Sequence, residues 1–321
     1  MTPRARSEPA SGISPSFPKD ALQSVDCGLC GSAESELKFT DGPFSVVTCA
    51  KCDVTYVTPR LLDASLIESV YDESYWNSSE AKVHGYSDYR ADAPLYKRTY
   101  RDRLTILNRH FDSNKRSDGT PRRVLDIGCA AGYFLSVMQE EGWDVTGLEP
   151  SDAIRIQAEK ELGVGNVRGG LLGVNDDLIE GAFDLVTFWD VIEHIPDPRA
   201  ALVRARELLA PGGLLIVETQ DVESRAEKIL GKKWQHYKHA EHIYHFNKKT
   251  LSRLLDEAGF APLENSGRHG GKYVTFSFVV ERVGRIHPLL SMLAAPLRLI
   301  GNKALYINLF DEMIVVAKPK D

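Results

Sequence analysis

The sequence lacks the long apolar runs and the leader that would direct a chain into or across a membrane. Residues 1–24 are rich in Pro, Ser and Ala and contain no apolar run that could form the core of a secretory signal. No segment approaches the roughly 18 consecutive apolar residues of a membrane span. We therefore expect a cytoplasmic protein that begins with a disordered tail over residues 1–24.

An excess of positive charge is also missing. The formal net charge is −6, and basic residues do not interleave with aromatic ones as they do in nucleic-acid-binding surfaces. This balance argues against nucleic acid as a partner and gives no overall attraction to an anionic membrane, although it leaves room for a local basic patch. The apolar content of 43% and the length of 321 residues fit one main domain with an appendage.

Cysteine is scarce, and its placement is regular. Four of the five cysteines form the pairs Cys27-x2-Cys30 and Cys49-x2-Cys52, with 18 residues between the pairs. Each Cys-x2-Cys can form a tight knuckle that supplies two tetrahedral ligands, so this spacing predicts a four-thiolate zinc ribbon over residues 25–60. Two disulfides are the alternative, which the missing secretion signal disfavours. With all four positions filled, the zinc would have a structural or docking role. The fifth, Cys129, is expected to be a small buried residue.

A glycine-rich stretch between two short apolar runs is the centre of the chain. Val124 to Ile127 reads as a buried parallel strand, after which Gly128 and Gly132 permit a tight turn against a ligand. Glu149 ends the next predicted strand, 21 residues after Gly128, where a carboxylate can bind both hydroxyls of a ribose. The stretch therefore predicts a nucleoside-binding βαβ unit, with a βαβ unit that binds nothing as the alternative.

The positions of the small residues indicate which nucleoside is bound. A dinucleotide fingerprint would place glycines at Gly128, Ala130 and Tyr133, so it fits poorly. Asp126 followed by Gly128, Ala130 and Gly132 instead resembles the signature of class I S-adenosylmethionine-dependent methyltransferases, with alanine at the middle glycine. The resemblance implies that Asp126 and the loop hold the methionine end of S-adenosyl-L-methionine and that Glu149 holds its ribose. The residues expected to bind the cofactor are Asp126, Gly128, Ala130, Gly132, Glu149, Leu171 and Asp190, with Leu172 as an alternative to Leu171.

The same resemblance implies the fold. We expect an α/β, Rossmann-like, doubly wound seven-stranded sheet, with the last strand antiparallel, over residues 121–321. Residues 61–120 would form a helical cap or linker in which Tyr75, Tyr86 and Tyr89 either line the pocket or pack within the cap. Strand six is predicted at Lys272–Glu281 and the last strand at Asp311–Ala317.

The segment after strand four carries the first candidates for catalysis. His194, next to Glu193, follows that strand, and the carboxyl ends of strands in such a sheet face the ligand. Asp190-x2-Glu193-His194 resembles the Glu-x2-Glu-His of ubiquinone-pathway O-methyltransferases, in which these residues bind a divalent metal, with Asp in place of the first Glu. His194 is thus predicted to be a general base, with a Mg²⁺ site or a helix-capping histidine as alternatives.

The segment after strand five carries the second set of candidates. Four of the nine histidines lie at 236, 239, 242 and 245, and nothing indicates a single helix that would align them. We interpret this insert as a substrate-facing loop, with His239 and His242 as the catalytic candidates and Trp234 and Tyr237 as stacking residues. The Glu241-His242 step resembles that of bacterial methyltransferases with an N-terminal zinc ribbon, which include enzymes of sugar and cell-surface glycan pathways.

The predicted function is methyl transfer to a small-molecule acceptor. The acceptor group would be a hydroxyl of a sugar or glycan precursor or of a natural product. The alternatives are an RNA or protein methyltransferase that docks through the zinc ribbon, and a cofactor-binding regulator without catalysis. The apolar stretch over residues 286–300 is expected to be either a packing helix or a surface helix that contacts a membrane or a lipid-linked substrate.

Overall fold

The computed structural model describes residues 21–61, 76, 89–176, 181–286, 288–300 and 303–320. The predicted tail over residues 1–24 lies largely outside these residues, as do Tyr75 and Tyr86. Within the described residues, no helix is long and apolar enough to cross a membrane.

The N-terminal part of the structure is a small antiparallel sheet that carries the four paired cysteines. Its elements in chain order are β1 (Leu22–Gln23), β2 (Ser35–Asp41), β3 (Phe44–Cys49), β4 (Thr55–Thr58) and β5 (Arg60–Leu61). Strands β2, β3 and β4 pair in sequence order, and β1 pairs with β5. The Val-rich strand β3 is central and mostly buried, as its β-branched residues favour.

The two cysteine knuckles meet at one end of this sheet. Backbone bonds close each knuckle, from the amide of Gly31 to the carbonyl of Cys27 at 2.7 Å and from Asp53 to Cys49 at 3.0 Å. The sulfurs of all four cysteines lie within 4.8 Å of one another, and the nearest cross-knuckle pairs are 3.5 Å apart. That separation is far longer than a disulfide bond. Four converging thiols fit the predicted tetrahedral zinc site.

The C-terminal part alternates strands and helices, and its elements follow in chain order. They are α1 (Ala93–Leu107), β6 (Arg123–Ile127), α2 (Tyr133–Glu140), β7 (Asp144–Leu148), α3 (Asp152–Leu162), β8 (Val167–Arg168), β9 (Phe183–Trp189), α4 (Pro198–Leu208), β10 (Leu209–Gln220), α5 (Arg225–Leu230), β11 (Tyr244–His245), α6 (Lys248–Glu257), β12 (Phe260–Ser266), β13 (Lys272–Thr275), α7 (Phe276–Ile286), α8 (Pro288–Ala294), β14 (Ala304–Ile307) and β15 (Glu312–Pro319).

Seven of these strands form one sheet, in the order β12-β15-β10-β9-β6-β7-β8. The five neighbouring strands β10, β9, β6, β7 and β8 are parallel, whereas β15 runs antiparallel to both of its neighbours. All seven residues of β9 are buried, as expected of a strand covered on both faces. The predicted doubly wound fold with an antiparallel last strand is confirmed.

The predicted position of strand six is wrong. The sheet's sixth strand is β12, whereas Lys272–Thr275 pairs with Ala304–Ile307 outside that sheet, and α7 follows directly. The valines and phenylalanines of 276–283 suggested a strand. However, the apolar side chains of Phe276, Val279, Val280 and Val283 recur at helical spacing.

The cysteine ribbon is joined to the histidine insert by strand pairing. Strand β11 adds to the ribbon sheet beside β4, with Tyr244 opposite Tyr56 and His245 opposite Thr55. The hydroxyl of Tyr244 also crosses Gly28, where an added Cβ would lie only 1.9 Å away, and donates to the carbonyl of Pro196 at 3.0 Å. The first knuckle thus needs glycine at this position so that the insert can pack closely against it.

We expect zinc to copurify at about one equivalent per chain, because four thiolates complete a tetrahedral site. Metal analysis of protein made without a histidine tag measures this. The Cys129→Ser variant is the matched control and should keep its zinc, since Cys129 lies in a different loop. Zinc-free protein with paired disulfides would contradict the assignment.

Replacing Cys30 with Ser should lower the melting temperature, because the ribbon and its pairing with β11 would lose their metal support. Binding of S-adenosylhomocysteine should change by less than about threefold, since the Cys30 site lies away from the predicted cofactor loop. Differential scanning calorimetry and titration calorimetry measure the two effects. An unchanged melting temperature would show that the metal does not stabilise the ribbon.

Candidate active site

A large cleft opens beyond the carboxyl ends of the parallel strands. Its volume is about 1170 Å³, and its walls come from the loops after β6, β7 and β9, from α1, from the histidine insert and from the β13–α7 segment. Ligands bind at this edge in doubly wound sheets, because the loops after neighbouring strands diverge there. Most of the predicted site residues therefore meet at one place.

The loop after β6 has the backbone that its glycines predict. Gly128 and Gly132 have φ angles of 68° and 75°. An added Cβ would lie 2.7 Å from the side chain of Val191 at Gly128 and 2.8 Å from that of Leu162 at Gly132. Ala130 also has a positive φ, 47°, which costs an alanine about 1–2 kcal/mol. The loop holds this conformation while exposing backbone to the cleft.

Two buried carboxyl groups flank the loop. Glu149 accepts hydrogen bonds from the amides of Ala130 at 3.0 Å and Ser151 at 2.8 Å, and Asp126 accepts one from the hydroxyl of Thr187 at 2.6 Å. Burial raises the pKa of Glu149 to about 7 and that of Asp126 to about 8. Both line the cleft, so hydroxyl or ammonium groups of a ligand can reach them.

The remaining predicted cofactor residues also line the cleft. Leu171 and Leu172 both lie on its wall, so either can contact a base. Asp190 has a positive φ of 54°, and its carboxylate accepts a hydrogen bond from the ammonium group of Lys272 at 2.6 Å. Tyr89 of the predicted cap lines the cleft and stacks on Tyr133 with ring centroids 5.5 Å apart.

His194 and His242 come together on the opposite wall, next to Glu193. The two imidazole centroids are 4.6 Å apart. The Nδ1 of His194 lies 2.9 Å from the carbonyl oxygen of Glu241. Because a carbonyl only accepts, Nδ1 carries the proton and Nε2 keeps its lone pair. Burial lowers the pKa of His194 to about 4, so its ring is neutral at pH 7.

Two buried atoms of this group make no hydrogen bond within the described residues: Oε1 of Glu193 and Nδ1 of His242. The other oxygen of Glu193 accepts from the hydroxyl of Thr219 at 2.9 Å. Burial raises the pKa of Glu193 to about 8 and lowers that of His242. Unsatisfied buried atoms next to a cleft mark a place where a ligand can complete the bonding.

The four histidines of the insert point in two directions. His236 and His242 line the cleft, whereas His239 is buried against the ribbon, with its Nε2 3.4 Å from a carboxylate oxygen of Asp41. His245 lies in β11 and is fully buried. The insert is a succession of turns. Histidines spaced three residues apart therefore face the cleft and the ribbon in alternation. The structure thus separates His239 from the other predicted catalytic residues.

The two predicted stacking residues are buried. Trp234 is 1% exposed and donates its indole N–H to Asp311 at 3.0 Å. Tyr237 is fully buried and donates its hydroxyl to Glu227 at 2.8 Å, away from the cleft wall. Trp234 nevertheless belongs to the lining of the cleft, whereas Tyr237 does not and helps to fix the shape of the insert.

Sequence reasoning missed a charged group on the cleft floor. Lys272 bridges Asp190 and Glu312, with N–O distances of 2.6 Å and 2.9 Å. Arg103 of α1 forms a bidentate pair with Glu218 at 2.5 Å and 2.7 Å, with both side chains almost fully buried. No spacing pattern connects these positions. Arg103 was one arginine among several on its helix, and Lys272 lay in a segment predicted as a strand.

The predicted metal triad is divided in the structure. Glu193 and His194 each offer a ligand atom within 4.8 Å of one on His242, whereas Asp190 groups with Glu218 and Glu312. Because Asp190 pairs with Lys272, a cation beside Glu193 and His194 would take His242 as its nearest third ligand. Two imidazoles and a carboxylate suit transition metals better than Mg²⁺.

Comparison with known proteins shows which family the sheet and its loops belong to. A family model described as "Methyltransferase domain" matches residues 96–265, which is more than half of the chain. These residues include the glycine loop, Glu149, the segment after β9 and the histidine insert. The ribbon lies outside the match.

Curated relatives match the same part of the chain. A ubiquinone biosynthesis O-methyltransferase of Bordetella avium is 32% identical over 168 residues, which are 47% of this chain and 66% of that protein. Its namesake from Pectobacterium atrosepticum is 33% identical over 129 residues, which are 39% of this chain and 53% of that protein. The chain thus spans between half and two thirds of these relatives' length.

One similar solved structure is an S-adenosylmethionine-dependent methyltransferase of Thermotoga maritima, which is described as a possible histamine N-methyltransferase. It is 23% identical, with a TM-score of 0.45, and the alignment covers 72% of this chain and 95% of that one.

Glu149→Ala should weaken S-adenosylhomocysteine binding by about 10- to 150-fold, since a charge-assisted bond to a ribose contributes roughly 1.5–3 kcal/mol. Titration calorimetry measures the affinity. Asp152→Ala is the matched control, because Asp152 is an exposed acidic residue three positions along the chain and outside the cleft wall. Equal affinities in the two variants would refute the role of Glu149.

Proposed function

Because the chain belongs to the methyltransferase-domain family, as the class I S-adenosylmethionine-dependent signature predicted, we propose that it methylates a hydroxyl of a small-molecule acceptor. The observation that carries this proposal is the meeting of the Glu149 loop and a neutral His194 in one cleft. The first supplies a cofactor site, and the second supplies a base.

The cofactor binds along the carboxyl ends of β6 and β7. Glu149 accepts hydrogen bonds from the ribose hydroxyls while its backbone donors hold it in place. Asp126 and the exposed loop backbone take the methionine end, and Leu171 or Leu172 covers the adenine. A methyl donor held there would share one cleft with His194 and His242, which could act on the acceptor.

Methyl transfer is an in-line displacement in which alignment supplies much of the rate. As the acceptor oxygen attacks the methyl carbon, the new O–C bond forms and the C–S bond breaks, which releases S-adenosylhomocysteine. The hydroxyl proton passes to the Nε2 lone pair of His194, whose Nδ1–H stays bonded to the carbonyl of Glu241. His242 and Glu193 shape the polarity of this wall.

A divalent metal is the second candidate for activating the acceptor. Glu193, His194 and His242 would then bind the ion, which would lower the pKa of a coordinated hydroxyl. The two unsatisfied atoms, Oε1 of Glu193 and Nδ1 of His242, favour this alternative.

For the acceptor we favour a sugar or glycan precursor or a natural product over RNA or protein. The cleft floor presents carboxylates, Lys272 and His236, which suit a polyhydroxylated molecule. The RNA-docking alternative lacks electrostatic support, because the chain carries a net charge of −6. The cofactor and the reduced thiols fit a cytoplasmic protein.

A panel of nucleotide-sugars and catechols, assayed for S-adenosylhomocysteine release, tests the function itself. Release that depends on one acceptor supports the proposal. Tighter binding of NAD than of S-adenosylhomocysteine would overturn it.

His194→Ala should lower turnover of the best acceptor in that panel by about 10²–10⁴-fold, because the base is lost, while S-adenosylhomocysteine affinity stays near wild type. His239→Ala is the matched control, since His239 lies against the ribbon, and it should keep its turnover. Steady-state kinetics and calorimetry measure the two parameters.

The same variants, assayed with a chelator, separate base from metal. A metal mechanism predicts that chelation abolishes turnover, that added Mg²⁺ or a transition metal restores it, and that Glu193, His194 and His242 are all required. If His194→Ala and His242→Ala both keep wild-type turnover and chelation has no effect, alignment alone drives the reaction.

A further inference from the structure

Six large apolar side chains are exposed on segments that line the cleft or adjoin those that do. They come from α8, from the 3₁₀ turn after it (Ala295–Ile300), from the β14–β15 loop and from α5. Their exposed fractions are 71% for Met292, 79% for Leu293, 91% for Leu299, 49% for Leu309, 65% for Phe310 and 82% for Ile229. We call these six residues the apolar rim. Large apolar side chains grouped in this way mark a surface that binds something.

The apolar rim is continuous with the cleft wall. Ile229 and Leu309 belong both to the rim and to the lining of the cleft. Helix α7, which packs against α8, contributes Phe278, Val279 and Val283 to the same lining. An apolar path therefore leads from the exposed rim into the cleft where methyl transfer is proposed to occur.

Two of the segments that carry the apolar rim, namely α5 with the turn after it and the stretch from α7 to residue 303, are basic in an acidic chain. Residues 225–233 contain four basic residues and one acidic residue, and residues 276–303 contain the same numbers. Each segment thus carries a net charge of about +3, although the whole chain carries −6. Exposed leucine and phenylalanine beside lysine and arginine are typical of elements that lie in the headgroup region of an anionic bilayer.

We propose that the apolar rim docks onto the surface of an anionic lipid bilayer, with the mouth of the cleft at the interface. Helix α8 spans only Pro288–Ala294, so it lies on the membrane rather than across it. The class of ligand is an anionic phospholipid surface, and acceptors with a lipid anchor could enter the cleft without leaving it. A second copy of the chain is the competing occupant.

Vesicle cosedimentation tests this proposal. The wild-type protein should sediment with vesicles of phosphatidylglycerol and phosphatidylethanolamine at low salt, and much less at high salt or with pure phosphatidylcholine. In the double variant Leu293→Glu, Leu299→Glu, the partition coefficient onto anionic vesicles should fall by about tenfold or more, because two apolar contacts become charges. Val164→Glu is the matched control, since Val164 is 92% exposed beside β8, at the opposite end of the sheet, and it should partition like wild type.

Titration with S-adenosylhomocysteine on the same preparations shows whether each variant is folded and keeps this test separate from the proposed function. Phe310→Ser, on a different loop, replaces the double variant if that one fails to bind the cofactor product. Wild-type protein that ignores anionic vesicles, or rim variants that bind them equally well, would overturn the proposal. So would sedimentation velocity that shows a dimer which the rim variants lose, since a second copy would then cover the rim.

Discussion

The pairing of β11 with β4 fixes the position of the cleft wall that carries His242. The histidine insert has almost no regular structure of its own, and turns alone would leave its position undetermined. Two residues, Tyr244 and His245, attach it to the ribbon sheet, and Gly28 lets the Tyr244 ring pass the first knuckle. His242 lies two residues before this strand. Its imidazole centroid is thereby held 4.6 Å from that of His194. Zinc bound by the ribbon would thus help to hold the wall on which the proposed chemistry depends.

The electrostatics of the cleft suit a cationic cofactor. Burial raises the pKa values of Asp126, Glu149 and Glu193 towards or above neutrality, because removal from water disfavours their charged forms. A ligand with a sulfonium and an ammonium group restores part of the lost solvation and favours the ionised carboxylates. Lys272 and Arg103 already neutralise carboxylates of the floor, so Asp126 and Glu149 would be the groups left to balance the charge of a bound cofactor.

The sequence predicted those features that depend on local spacing. The glycine loop, Glu149 at the end of β7 and the paired cysteines each follow from a short stretch of chain, and the resemblance of that loop to class I methyltransferases implied the seven-stranded sheet. The bridge of Lys272 to Asp190 and Glu312 joins residues far apart in sequence and could not be predicted. The separation of His239 from His242 depends on turns without a periodic pattern. The predicted position of strand six was wrong because α7 is rich in β-branched residues, which favour strands.

The order of the chain sets an order of assembly. The ribbon ends near residue 61, yet its last neighbour in the sheet, β11, is made more than 180 residues later. At roughly 5–20 residues per second, a ribosome would need about 10–40 s to add that stretch, so the cysteine knuckles wait with one sheet edge uncovered. Such long-range pairing is slow to form, because a long loop must close first. Early metal loading would keep this edge in register during synthesis, and the wall that carries His242 would form only after β11 is made.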